Sequence, residues 1–113
     1  MTDLISVDDI CDLIKNSHRR PEAQGKYAYP WILGKNYFIR TVTMHLTGRL
    51  TFVGPQELVL EDAAWIADSG RFNEAIKNPD NCSEVEPFVR PVIVGRGAIV
   101  DATEITHVVT KVK

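Results

Sequence analysis

The 113-residue sequence predicts a β-rich α+β fold, a small bent β-barrel or roll of about five to six strands. Two observations predict it: apolar and polar residues alternate over residues 37–46, and turn-forming residues at 54–56 separate two apolar runs. An N-terminal helix and a short helical insertion complete the prediction. One domain, residues 1–113, is expected because a chain of this length fits a single core. The β core is predicted at residues 36–66 and 88–112.

The first predicted element is an amphipathic helix over residues 6–17. Ser6 can cap its N-terminus, and two aspartates follow where negative charge favours the helix dipole. Apolar residues recur on one side at helical spacing: Leu4, Val7, Cys11 and Ile14. About three turns is enough to close one end of a barrel or to dock on a neighbour.

A basic loop and a run of aromatic residues connect this helix to the first strand. The loop, residues 18–25, contains Pro21 and Gly25, which break the helical pattern, and the basic residues His18, Arg19 and Arg20. Tyr27, Tyr29 and Trp31 then alternate. These rings either plug the mouth of the barrel as core residues or form a stacking surface that holds a nucleobase beside the basic residues.

The central meander begins with a predicted strand at residues 37–46, whose apolar face is interrupted by Arg40. Gly48 marks a bend or bulge, after which the strand resumes. The turn at residues 54–56 returns the chain into another strand, and small residues around Trp65 indicate close backbone packing.

The second half of the chain predicts one short helix and further strands. The helix runs through Phe72 and Ile76, with Asp68 or Ser69 as its cap, and ends before Pro79. Residues 80–87 are predicted as an acidic loop. Strands are expected at residues 88–94, 98–100 and 105–112, and a hairpin turn at 95–97 uses glycines that permit positive φ.

Charge and motifs exclude several classes of function. The formal net charge of −2 argues against a wide surface for long nucleic acid unless oligomerisation gathers the arginines. The three histidines and two cysteines have no metal-ligand spacing, so neither a metal nor a cofactor is expected. No nucleophile elbow, phosphate loop or dinucleotide motif is present, which predicts a protein without catalytic residues.

The expected compartment is the cytoplasm. No apolar run approaches the roughly 20 residues that span a bilayer, and the first residues lack the pattern of a signal peptide. Cys11 and Cys82 are therefore expected to be reduced thiols.

Arginines are the remaining candidates for a site. Arg40 lies between apolar neighbours in a strand, Arg49 follows the Gly48 bend, and Arg96 lies at the tip of the turn at 95–97. Two further candidates are Arg71, which opens the short helix, and Arg90, which lies in the segment FVRP. An arginine on an apolar face needs a carboxylate or a phosphate as partner. Each is interpreted either as a salt bridge to Glu57, Glu61 or Asp62, or as part of an anion site.

The segment TGRLTFVGPQELVLEDA, residues 47–63, resembles the central hairpin of the Sm-like small β-barrel proteins, as does a helix before the barrel. The resemblance implies a bent barrel that assembles into rings, in a family where many members bind RNA. The aromatic segment, the insertion at 65–78 and the turn at 95–97 have no counterpart there, so no RNA-binding residues are transferred. The chain as a whole is similar in style to short proteins of bacteria and their phages.

The sequence therefore predicts a non-catalytic, homo-oligomeric protein that binds an anionic ligand, either a nucleotide or a short nucleic acid. The predicted ligand-binding residues are Arg40, Arg49, Arg96, Trp31, Tyr29 and Trp65. In a phage such a protein could sequester a signalling nucleotide in the host cytoplasm. The alternative is a structural or assembly protein of a phage virion, whose arginines form interface salt bridges and bind no small ligand.

Overall fold

The computed structural model describes residues 25–113, and the chain divides into two compact units, residues 1–32 and 33–113. The predicted helix at 6–17 lies outside the described residues, and the single domain stays a prediction. In the first unit, the short helix α1 spans Gly25–Ala28, and the Trp31 backbone N–H donates to the Ala28 carbonyl at 2.5 Å.

One antiparallel sheet of six strands forms the second unit, in the order β4-β3-β2-β1-β6, and β5 pairs with the first part of β3 beyond the end of β4. The strands are β1 Asn36–Thr41, β2 His45–Val53, β3 Glu57–Asp68, β4 Glu84–Pro87, β5 Val92–Gly95 and β6 Ile99–Ile105. Helix α2, Phe72–Lys77, connects β3 to β4, and 3-10 turns lie at Pro79–Asn81 and Arg96–Ala98. The strand-rich prediction and the short helical insertion are confirmed. No helix among residues 25–113 is long and apolar enough to cross a membrane.

The predicted single strand at residues 37–46 is wrong, because the chain turns back between Thr41 and His45. The side chain of Thr41 organises this turn: its hydroxyl oxygen accepts the Met44 backbone N–H at 3.0 Å. The Thr41 N–H in turn donates to the Met44 carbonyl at 2.8 Å. A threonine that bonds to backbone two and three residues ahead offers the chain a turn in place of a continued strand.

A kink in β3 opposite Gly48 bends the sheet. Thr47 pairs with Ala64 and Arg49 pairs with Glu61, so Asp62 and Ala63 together face Gly48 in a β-bulge. Asp62 adopts φ 51°, in the left-handed region that aspartate tolerates better than most residues. The bulge expected at Gly48 is present, with its extra residue on the partner strand.

The sheet is strongly curved but open. Gly95 is the last residue of β5 and Ile99 is the first residue of β6, and these two strands lie at opposite edges of the sheet. The four Cα–Cα steps from Gly95 to Ile99 span at most about 15 Å. A flat sheet would separate these two strands by about 19 Å, four strand spacings. Curvature therefore brings the edges towards each other, but no strand pairing within residues 33–113 joins them, and the closed barrel is not confirmed.

The predicted hairpin at residues 95–97 is wrong, because β5 pairs with β3 whereas β6 pairs with β1. The connection crosses the open end of the sheet as the turn Arg96–Ala98, and Gly95 has an ordinary extended φ of −70°. Its ends are held by neighbouring turns: Arg96 N–H donates to the Gln56 carbonyl at 2.9 Å and Val42 N–H to the Ala98 carbonyl at 3.0 Å.

Three other predicted boundaries differ in the structure. Part of the acidic loop, Glu84–Pro87, is strand β4, because it pairs along the last part of β3. The strand expected at 88–94 begins only at Val92, since the kinked part of β3 offers no continuous edge for pairing. The strand expected at 98–100 instead runs from Ile99 to Ile105, and the separate strand expected at 105–112 is absent, because the partner strand β1 begins at Asn36, opposite Ile105.

Helix α2 covers one face of the sheet and creates the core on which β4 and β6 rest. Ala75 is buried among side chains from several strands, and the Phe72 ring meets the Phe38 ring edge-on at 5.5 Å. The buried members of this cluster are Phe38, Ala64, Ile66, Ala75, Cys82, Val85, Ile105 and Val109. On the opposite face, Ile39, Leu50, Leu58 and Leu60 are fully buried.

We expect Gly48→Ala to destabilise the protein by about 1–3 kcal/mol, because a close-packed site that receives an extra methyl group must shift. A Cβ at Gly48 would lie 2.8 Å from Leu60 Cβ and 3.3 Å from Ala63 Cβ. Gly95→Ala is the matched control, since a Cβ there meets nothing within 4 Å. Urea unfolding measures both, and equal midpoints for the two variants would contradict the close approach at the kink.

Candidate functional site

Arg40 is held by a carboxylate and an aromatic ring of its own chain. Its Nε and one terminal nitrogen donate to the two oxygens of Asp101 at 2.8 and 2.5 Å. The guanidinium carbon also lies 4.4 Å from the centre of the Phe72 ring, a cation–π contact. The hydrogen bonds to Arg40 lower the pKa of Asp101, and the same bonds raise the pKa of Arg40. This guanidinium therefore already has a bidentate anionic partner.

Arg49 clamps the kink in β3. One terminal nitrogen donates to Asp62, and the other lies 3.3 Å from Glu61 Oε1. The two carboxylates flank the point where the strand changes direction, so the arginine neutralises the charges that the bulge places side by side. The predicted salt bridge of Arg49 to Glu61 and Asp62 is confirmed.

Arg96 supports the curved end of the sheet. Its guanidinium donates to the Gly54 carbonyl at 2.8 Å, while its backbone N–H reaches the same β2–β3 turn at Gln56. The side chain therefore fastens the connection between β5 and β6 to a neighbouring turn.

The structure does not bring the three arginines into one pocket. Arg40 and Arg49 share a face of the sheet, but Arg40 pairs with His45 and Arg49 with Asn36, which puts them four residues apart, about 13 Å. Arg96 lies on a connection beyond the strands. Tyr29 and Trp31 belong to the unit 1–32, so their stacking beside an anion stays a prediction.

Trp65 is the predicted site residue with neighbours suited to ligand binding. On β3, Trp65 pairs with Glu86 of β4. Two residues further along each chain segment, the Phe88 N–H donates to the Ala63 carbonyl at 2.8 Å. Alternate residues of a strand point to the same face, so Trp65 and Phe88 lie on one face in adjacent rows. Their side chains remain 45% and 41% exposed.

Arg90 completes what we call the edge strip, formed by Trp65, Phe88 and Arg90. The loop that carries it bulges away from β3 at the kink and lines a hollow of about 130 Å³ with Phe88, Val89, Pro91, Glu61 and Asp62. Arg90 makes no hydrogen bond or ion pair within the described part of the chain. Val89, next to it, is 95% exposed.

Phe88 is not among the candidates that the sequence predicts, and Arg90 is one of the candidate arginines but is not in the final set of predicted ligand-binding residues. Pro87 and Pro91 contain the signal that could have found them. A proline has no N–H to donate to a strand ladder, so two prolines four residues apart indicate a short unpaired loop between strands. The side chains of such a loop are available to solvent and ligands.

The electrostatic surroundings of the edge strip are mixed. Glu86, Glu61 and Asp62 lie close to it, but Arg49 is engaged with the last two. Among the described residues that line this hollow, Arg90 is consequently a guanidinium that can meet an incoming anion without breaking an existing ion pair. Within residues 25–113, no three histidine, cysteine, aspartate or glutamate side chains converge to hold a metal ion.

Comparison with known proteins returns no relative: no protein-family model, no curated protein and no solved structure matches the chain.

Asp101→Asn should lower stability at pH 7, with an effect that disappears in acid. The Asp101 carboxylate has a lowered pKa in the folded state, so its stabilisation is present above the unfolded value near 3.8 and is lost as pH falls through the folded value. The measurement is the urea midpoint of both proteins between pH 7 and pH 2. Glu104→Gln is the control, because its contact with Lys35 is 3.8 Å long. A difference at pH 7 that persists unchanged to the lowest pH would contradict the role of the ion pair.

Proposed function

We propose that the protein is a non-catalytic, oligomeric binder of a small anionic ligand, most simply a nucleotide, and that the edge strip holds it. One observation carries the proposal: two half-exposed rings lie in adjacent rows beside Arg90, a guanidinium without a partner among the described residues. A nucleotide presents a flat base for stacking on an aromatic ring and a phosphate for a guanidinium.

The energetics of such a site suit a ligand of modest size. Stacking on an aromatic ring contributes about 1–3 kcal/mol per base, and a charge-assisted hydrogen bond from Arg90 adds to it. The hollow beside Arg90, about 130 Å³, has room for a phosphate rather than for a whole nucleotide. The base would therefore lie outside it, against Trp65 and Phe88.

Charge favours a ligand with few negative charges over a long nucleic acid. Glu61, Asp62 and Glu86 surround the edge strip, and the whole chain has a formal charge of −2. A polyanion would meet all of these carboxylates along its length, whereas a single phosphate beside Arg90 would meet only Glu61 and Asp62, which are already paired with Arg49.

The proposal gives the other predicted arginines a supporting role. Arg49 holds the kink from which the loop with Arg90 projects, and Arg96 and Arg40 fasten the curved sheet. We also propose that this curved sheet is an incomplete small barrel and that copies assemble through its edges in a cytoplasm. A stoichiometric binder without turnover would act by sequestering its ligand, and a signalling nucleotide in a phage-infected host is the proposed case.

Arg90→Ala and Trp65→Ala should each weaken nucleotide binding by about tenfold or more, since each removes one of the two expected contacts. Isothermal titration with a panel of nucleoside monophosphates and cyclic and linear dinucleotides measures it. Arg71→Ala is the matched control, because Arg71 is another arginine without a partner within residues 25–113 and lies next to α2. No heat with any nucleotide at millimolar concentration, or equal loss in the control, would overturn the proposal.

The second candidate is a structural or assembly protein. It is favoured by a specific observation: Arg40, Arg49 and Arg96 all have partners within their own chain, as expected of arginines that maintain architecture. Native mass spectrometry of the purified protein separates the two candidates. Extra mass of a few hundred daltons per subunit supports a ligand binder, whereas a defined oligomer of bare chains supports assembly.

A further inference from the structure

The C-terminal segment, residues 106–113, is attached to the rest of the unit mainly at its two ends. At its start, the Thr106 carbonyl accepts a hydrogen bond from Asn36 at 3.4 Å. At its end, Lys113 and Val85 exchange both backbone hydrogen bonds, at 3.0 and 3.2 Å, so Lys113 covers the outer edge of β4. The Lys113 ammonium also donates to the Asp80 carbonyl at 2.5 Å.

The middle of this segment is loosely fitted. The backbone groups of residues 108–112 make no hydrogen bond within the described chain, and only Val109, 3% exposed, is anchored in the core. Between the segment and Asp80 lies a hollow of about 450 Å³. Backbone groups that have no partner within residues 25–113 remain available for hydrogen bonds outside this part of the chain.

Charge on the two sides of this contact is complementary. The receiving surface carries Asp80, Glu84 and Glu86, and the segment carries His107, Lys111 and Lys113. His107 Nε2 lies 3.2 Å from an Asp80 carboxylate oxygen. The surface on and beside the edge of β4 therefore fits a basic strand with alternating valines, the composition of the segment itself.

We propose that this surface also receives the C-terminal segment of a second copy of the chain, so that two copies exchange residues 106–113. We choose this occupant because an exchanged segment would make the same contacts that the chain's own segment makes with Val85 and Asp80. An exchanged segment need not fold back over the hollow, so its middle residues gain freedom to find hydrogen bonds. Exchange of identical elements is a low-cost route to a dimer.

Direct pairing of β4 with β4 of a second copy fits less well. An antiparallel pair centred on Val85 would place Glu84 opposite Glu86 twice, and like charges directly opposite each other destabilise a sheet. The exchanged segment brings lysines to the same edge. This proposal goes beyond ligand binding and is tested without any nucleotide.

Disulfide trapping between two different chains tests the exchange. In the register set by Val85 and Lys113, Glu86 faces Val112 as a non-hydrogen-bonded pair, with Cα atoms about 4.5 Å apart and suitable for a disulfide. One chain carries Glu86→Cys and the other Val112→Cys, both with Cys11→Ser, while Cys82 stays buried. The chains are unfolded together, refolded over a range of concentrations and oxidised.

Exchange predicts a covalent heterodimer whose yield rises with protein concentration up to about 1 mM. This is the order of the effective concentration of a segment tethered to its own chain. Its yield should exceed by about fivefold or more that of a control pair, Glu86→Cys with Val100→Cys on the exposed side of β6. The double variant Glu86→Cys/Val112→Cys should close an internal disulfide when dilute. Heterodimer at the control level, or a double variant that does not close, overturns the proposal.

Discussion

Asp62, with its positive φ, kinks β3 at the ion pairs of Arg49 with Glu61 and Asp62, and the strand pairing of the second unit depends on this kink. The kink divides one edge of the strand into two short edges that point in different directions. β5 pairs with the first and β4 with the second. The chain between them has no edge to follow, so it forms the loop that carries Arg90. Gly48 makes the kink sterically possible, because it leaves room for Leu60 and Ala63 on the facing strand.

Three of the five arginines within residues 25–113 bond to their own unit, and their geometry explains what they do. Half-exposed ion pairs contribute little individually, about 0–1 kcal/mol, because solvent screens them and the side chains lose freedom. A planar guanidinium that bridges two carboxylates, as Arg49 does, or that grips one carboxylate over an aromatic ring, as Arg40 does, fixes direction as well as distance. These two arginines therefore orient the strand segments that they join, where a lysine would give only a point charge.

Much of the local structure could be predicted from the sequence, but the pairing of distant strands could not. The bulge at Gly48, the turn at 54–56 and helix α2 follow from glycine, proline and helical spacing. The turn at Thr41 was missed because a threonine fits a strand equally well until its hydroxyl bonds to the backbone. The destination of β5 was missed because a Gly-Arg-Gly turn is compatible with either a hairpin or a crossover, and only curvature decides. For the candidate site, Trp65 was predicted, whereas Phe88 and Arg90 depend on where β4 ends.

The kink also explains why Arg90 is available for a ligand. The carboxylates of Glu61 and Asp62 line the same hollow as Arg90, and without Arg49 they would attract the Arg90 guanidinium as a partner. Arg49 approaches them from the neighbouring strand and occupies both, so Arg90 is left with local attraction but no partner in the described chain. A phosphate that arrives there gains a guanidinium without displacing a salt bridge, while the carboxylates that Arg49 neutralises repel it less than free ones would. The ion pairs of Arg49 at the kink thus reduce the negative charge beside the edge strip.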